Sequence, residues 1–340
     1  MKLERKTYKD GNLHPEAFNC LKLLPDSVTY HKYYTERHPF SIYSLSIQRV
    51  MLAFKAILDE VELAYTALFK ATGHLDYQLN KLPDLQKELL HALQSHIDDC
   101  YRILKVIHPS IQVQEKYVES WLEKANHPAY KEFRNAVNGY RESFAPIVNK
   151  IKHNGGQLRS IMMYSRGRGV VARTVEENIQ LFPHNARIVG YFLEGMQPNG
   201  RIGPDYEIHP DGKSAISFNC DLRYHFANMY RVGHHLRNAI ARTVRHFHGI
   251  KLPRPVAVTS PTGQYDIESI AEQISKLPLL FFQNEFSKTT PDIKFYRGSS
   301  SATLTLETPG SRCMTWDGEV MIYCEIQLDG VSSEYQVPYR

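Results

Sequence analysis

The chain has 340 residues, 42% of them apolar, and a formal net charge of +5, enough for a substantial core in two units or one unit with a large insertion. The charged Met1-Lys2-Leu3-Glu4-Arg5 start, with no apolar stretch behind it and no run of about 18 apolar residues, disfavours secretion and membrane spanning and reads as cytoplasmic. Cys20, Cys100, Cys220, Cys313 and Cys324 lie far apart without a Cys-x-x-Cys pair, so reduced thiols are expected rather than a disulfide framework or zinc ribbon.

Residues 1–40 mix Tyr, His and Pro with little period and read as an irregular arm holding one short helix at Pro15–Leu24. From Ser41 to Ala71, Leu45, Val50, Phe54, Ile57, Leu58, Val61, Ala64, Tyr65 and Leu68 recur at helical spacing without Gly or Pro, which predicts a long core helix. Leu85–Ile107 repeats the pattern until His108-Pro109 stops it, and Gln112–Lys124 predicts a shorter helix.

The clearest stretch is Lys131–Tyr164. Phe133, Val137, Tyr140, Phe144, Ile147, Val148 and Ile151 mark one buried helix face, with a kink or restart expected at Pro146. Asn135, Glu142, Asn149 and His153 fall within about 60° on the opposite side. Gly155-Gly156 then marks a helix end, a kink or a close approach. Ser165–Gly169 reads as a flexible basic link, Ile188–Glu194 as a strand, and Pro210-Asp211-Gly212 as the turn of a hairpin between Tyr206–His209 and Lys213–Asn219. Leu222–His248 returns to helical period. Beyond it, Pro253–Thr259 reads as extended and Ile267–Leu277 as a helix. Strands are expected at Thr303–Glu307, Arg312–Trp316, Glu319–Gln327 and Ser332–Val337. The expected fold is mainly α: an antiparallel helix bundle with an inserted β-hairpin unit and a C-terminal antiparallel β-meander, α+β overall. Its divisions are the arm at 1–40, the bundle at 41–250 with the β insertion at about 186–220, and a small α+β unit at 251–340.

Charge is uneven. Lys131–Arg173 holds nine Lys/Arg against two Asp/Glu, and Asp221–Arg254 holds seven against one, so the remainder of the chain is acidic. Packed side by side, those segments would form one basic face suited to RNA or another phosphate-bearing polymer; alone, each is a solvated helix face. No Gly-rich phosphate loop and no Gly-x-Ser-x-Gly elbow occurs, and a helical Arg242–His248 segment aims His246 and His248 about 200° apart, against a metal site. No cofactor is implied.

Histidine beside arginine and asparagine on basic helices suits metal-free RNA cleavage, because an imidazole can move the 2′-hydroxyl proton while cations hold the phosphate. Val148-Asn149-Lys150-Ile151-Lys152-His153 resembles the motif region of HEPN-type helical domains, found in bacterial toxin and antiviral ribonucleases and in non-catalytic relatives. The family motif is an arginine, a polar residue, and a histidine four to six residues after the arginine. Asn149 and His153 match, and Val148 stands at the arginine position. The resemblance implies a metal-independent endoribonuclease or degenerate relative in antiviral defence, working as a homodimer. A composite site would join His153 and Asn149 as catalytic groups to His235 and Arg242 across a helix pair or dimer cleft. Lys150, Lys152, Arg231, Asn238 and Arg245 would hold the nucleic acid. The alternative is a non-catalytic nucleic-acid-binding or scaffold subunit whose face docks RNA or a partner protein.

Overall fold

The computed structural model describes residues 1–70, 79, 81–166, 171–173, 179–181, 187–212, 214–252, 265–279, 282–285, 290–308, 319–324 and 335–339. In chain order these form β1 (Lys2–Lys6), α1 (Thr7–Asp10), α2 (Glu16–Lys22), α3 (Pro39–Lys70), α4 (Lys81–Val106), α5 (Val118–Lys124) and α6 (Tyr130–His153). There follow β2 (Gln157–Arg166), β3 (Val171–Arg173), β4 (Ile179–Leu181), β5 (Arg187–Met196), β6 (Ile202–Pro204), β7 (Ile216–Ser217) and α7 (Phe218–His248). The last described elements are α8 (Ile267–Lys276), β8 (Asp292–Arg297), β9 (Ala302–Glu307) and β10 (Glu319–Cys324). The chain is a mainly helical α+β protein with antiparallel sheets.

The helices form where apolar spacing demands them. Val50, Phe54, Ile57, Val61 and Ala64 put the inner face of α3 against Leu89, Leu93, Ile97 and Leu104 of α4 in one core that also takes Phe133, Val137 and Phe144 from α6. Among the described residues the span Pro39–Ala67 is long and apolar enough to cross a membrane, yet half of it is buried in this core, as a central bundle helix requires. Helix ends follow local chemistry. The Ser217 hydroxyl accepts the Cys220 N–H at the start of α7, Gly249 adopts φ +66° at its end, and Asp266 caps α8 through the Glu268 N–H. Gly155, at φ +67°, ends α6, and the N–H groups of Asn154 and Gly156 both reach the Lys150 carbonyl. Pro146 lies inside α6 without ending it.

One sheet has the order β10-β2-β5-β6, with β7 also on β5, and a second has the order β1-β9-β8. Several expectations are corrected. Gln157–Arg166, beyond the Gly155-Gly156 pair, is a strand, so β structure begins well before residue 186. The hairpin around Gly212 does not form, because the Asp205 carboxylate accepts the N–H groups of Glu207 and Ile208 and coils the chain into turns. β6 and β7 each pair with β5 instead. The C-terminal strands divide between the sheets, β9 pairing with β1 and β10 with β2. The extended reading at Pro253–Thr259, most of the basic link and the strand at Arg312–Trp316 lie outside the described residues.

The arm is ordered: Leu13, Ala17, Phe18, Leu21, Leu24 and Val28 are buried in the core, and polar contacts fix its path. Asn12 Nδ2 donates to Asn19 Oδ1 (2.9 Å), Asn19 Nδ2 donates to the Asp10 carbonyl (2.8 Å), and the Tyr230 hydroxyl donates to the Leu13 carbonyl (2.6 Å). A Cβ at Gly233 of α7 would stand 2.5 Å from Pro15 Cβ, so glycine lets the arm lie directly on that helix.

Burial depresses His96 to about 4, and burial with the neighbouring His108 depresses His127 to about 3, both below the ordinary value of 6.5. The unfolded chain therefore binds these protons first as pH falls, and stability drops from pH 6.5 toward 4 by about 1.4 kcal/mol per pH unit for each such group. Urea unfolding across that window should show the midpoint falling with acidity, and His96→Asn should reduce the pH slope by about one proton.

Candidate functional site

The two basic segments do lie side by side. Arg242, near the end of α7, pairs with Glu132 in the first turn of α6; Arg231 Nη2 donates to the Ala136 carbonyl (3.0 Å); the Tyr140 hydroxyl meets His225 Nδ1 (3.0 Å). Contacts thus run down α6 as they run up α7, an antiparallel pair. That order separates the residues meant to share a groove: His153 lies 21 residues beyond Glu132, roughly 30 Å along the helix at 1.5 Å per residue. The composite site of His153 and Asn149 with His235 and Arg242 does not form within one chain.

Asn149, Lys152 and His153 are exposed at the C-terminal end of α6. Lys150 points elsewhere, with Nζ 2.8 Å from both Asp205 Oδ2 and Glu207 Oε2. Burial opposes its charge, but the two carboxylates outweigh that and raise its pKa. This ammonium fastens α6 to the turns after β6 rather than facing a polyanion. The candidates on α7 also part company. Arg231 faces α6, and half-buried His235 is depressed chiefly by burial, then by His234 and Arg231. Asn238 turns toward α2: its amide meets His234 Nε2 (3.0 Å) and Arg237 Nη1 (3.0 Å), while His234 Nδ1 lies 3.2 Å from Glu16. Arg245 is exposed and forms no ion pair among the described residues.

Sequence reasoning missed two groupings. The first is a sealed relay. Asp221 Oδ2 accepts Gln86 Nε2 (2.6 Å) and the Tyr191 hydroxyl (2.9 Å), Asp221 Oδ1 lies 3.2 Å from His225 Nε2, and His225 Nδ1 meets Tyr140. Burial pushes the Asp221 carboxyl up, but His225 and these hydrogen bonds hold it below its usual range. Only the i,i+4 spacing of Asp221 and His225 signalled it. At 1% exposure His225 reaches no substrate, so the relay is structural.

The second lies where α4 and α7 end. The Tyr30 N–H donates to the Val106 carbonyl and the Tyr34 hydroxyl to the His108 carbonyl (2.8 Å), which pins residues 30–34 across the bundle end. Tyr30 stacks on His248 with centroids 6.0 Å apart, and Lys105 Nζ lies 5.2 Å from the Tyr34 ring centroid and 5.8 Å from that of Trp121. Tyr33 stands 72% exposed with its ring centroid 6.5 Å from that of Tyr30; Lys32 beside it in the chain, and Arg245 and His246 in the turn of α7 before His248, are exposed as well. Of the nearby acids, Glu36 is held by Arg102 (2.5 Å) and Glu115 by Lys124 (2.9 Å), while Asp26 lies 3.2 Å from His38 and is 89% exposed. Among the described residues Lys32 and Arg245 have no acidic partner, and the end carries positive charge among aromatic rings.

Among the described residues no three His, Cys, Asp or Glu side chains are placed to hold a metal ion. No protein-family model matches the chain, and neither curated proteins nor solved structures gave a match.

The energetic contrast between the exposed Arg242–Glu132 pair and the buried Asp221 relay is testable. Arg242 and Glu132 are 58% and 68% exposed, so Arg242→Ala should change unfolding free energy by less than about 1 kcal/mol. Asp221→Ala strands His225, Gln86 and Tyr191 and should cost about 3–5 kcal/mol in the same urea titration.

Proposed function

We propose that the protein binds single-stranded nucleic acid, RNA in the first instance, without cleaving it, and takes the strand at the bundle end formed by residues 30–34, Lys105, Trp121 and Arg245–His248. The observation that carries this reading is the exposed Tyr33 ring beside the Tyr30–His248 stack, with Lys32 and Arg245 lacking acidic partners. Base stacking on an aromatic ring is worth about 1–3 kcal/mol per base and tolerates any sequence, while flanking cations follow the phosphates. A duplex keeps its bases stacked inside and offers this surface only its backbone. The non-catalytic form is favoured over a nuclease because His153 and Arg242 sit at opposite ends of α6–α7 and Lys150, inside the motif, already holds two carboxylates.

Fluorescence anisotropy with labelled single-stranded RNA at low salt tests this. Saturable binding is expected, weaker for a duplex of the same sequence, with the RNA recovered intact on a denaturing gel. Tyr33→Ala should weaken binding by roughly 5- to 150-fold, the equivalent of one lost stack. Lys32→Ala should lower the slope of log K against log salt by about 0.7. Absence of binding at low salt, or a parent that degrades the RNA, refutes the reading.

A further inference from the structure

α3 is apolar on two sides. Val50, Phe54, Ile57, Val61 and Ala64 on its inner face belong to the core, while its outer face carries Leu45, Leu52 and Leu63 at 43%, 38% and 58% exposure. Among the described residues these are the only exposed leucines, and α4, α6, α7 and α8 expose no large apolar side chain. A surface helix turns polar and charged residues to water; single apolar residues scattered over a surface need no account, but three on one line of one helix do. At 100° per residue Leu45, Leu52, Ala56 and Leu63 fall within about 40° of one another, with Arg49 and Asp59 about 40° to either side of the line, so the six form a seam roughly 27 Å long.

The order along the seam is symmetric. From the level of Phe54, Leu45 and Leu63 are equally far in opposite directions, and so are Arg49 and Asp59, and Leu52 and Ala56. A second α3 laid antiparallel on this face, with a two-fold axis at the level of Phe54, therefore sets Leu45 of one copy against Leu63 of the other, Leu52 against Ala56, and Arg49 against Asp59. Beside the axis a large residue meets a small one, which suits the close approach of packed helices, and leucines close both ends. A patch that matches itself in this way is what a two-fold contact between identical chains requires. Neither charged residue has to leave its present partners. Arg49 uses Nη2 on Asp99 (2.5 Å), one donor of its fork, and the partly exposed Asp59 carboxylate accepts from Lys55 (2.6 Å) and the Gln273 amide (3.2 Å) with lone pairs to spare. Asp59, Glu60 and Glu62 on the same helix oppose an anionic lipid surface or a nucleic acid as the occupant.

We propose that this face of α3 is an interface between two copies of the protein, antiparallel and two-fold symmetric about the level of Phe54. It lies apart from α6 and α7, where the HEPN resemblance would put a dimer cleft, and it is independent of the nucleic-acid reading. One helix face buries less than the roughly 800 Å² per partner of a standard interface, so the copies should exchange in the micromolar range.

Sedimentation velocity of the full chain from about 1 to 200 μM reads the association, and a shift from monomer toward dimer across that range is expected. Leu52→Lys, at an exposed position, should weaken the dimer at least tenfold with the circular dichroism spectrum unaltered. Cysteine trapping reads the register. Leu45→Cys and Leu63→Cys chains, mixed and oxidised, should give a cross-linked dimer on a non-reducing gel; either variant alone, its two new thiols roughly 27 Å apart in the dimer, should give no more than the parent. A monomer at every concentration, undiminished association in Leu52→Lys, or as much cross-linking in Leu45→Cys alone as in the mixture overturns the proposal. So does a chain that stays monomeric yet pellets with phosphatidylserine-containing vesicles, an outcome that would give this face to a membrane.

Discussion

The carboxylate of Asp221 is the contact on which the architecture depends. It sits in the first turn of α7, where the helix dipole favours a negative charge, and collects Gln86 from α4, Tyr191 from β5 and His225 from the next turn of its own helix. Through His225 the chain of contacts reaches Tyr140 on α6. Three helices and the main sheet therefore meet on one hydrogen-bonded line. Apolar packing tolerates small sliding of helices, whereas a satisfied polar line in a dry interior accepts one register. The antiparallel setting of α6 on α7 follows from that register, and with it the distance between His153 and Arg242.

That register also explains why a basic composition does not translate into a basic groove. Lys150, Arg141 and Arg242 each meet acids from elsewhere in the chain, so much of the excess positive charge on α6 and α7 is spent in holding elements together. Of the cations left over, Arg245 lies at the end of α7, where the aromatic residues of the arm also collect, and Lys152 at the far end of the helix pair. Charge by segment is a property of the sequence; charge by surface is a property of which partners the fold brings to each cation.

The legible parts were those governed by local rules. α3, α4, α7 and α8 appeared in the apolar period within a few residues of their ends, a helix end was one of the three readings of Gly155-Gly156, and Ile188–Glu194 marked β5. What could not be read depended on distant partners. β1 is Lys-Leu-Glu-Arg-Lys, without strand character of its own, and becomes a strand because β9 offers it an edge. β2 carries Met162 and Met163 where a β-branched pair would have declared it. The arm is fixed in part by Asn12, Asn19 and the Leu13 carbonyl, groups with no periodic signature. Lys150 meets its acids 55 and 57 positions later, which no spacing rule anticipates.

The pairing of β1 with β9 sets Lys2 opposite Glu307 and Lys6 opposite Thr303. A ribosome delivers β1 long before β9, so β1 must wait, unclasped, while the whole intervening chain is made. Loop closure over such a span is slow compared with helix formation. The helices can assemble early on local contacts, and locking the two far-apart segments together becomes a late event in the folding of the protein.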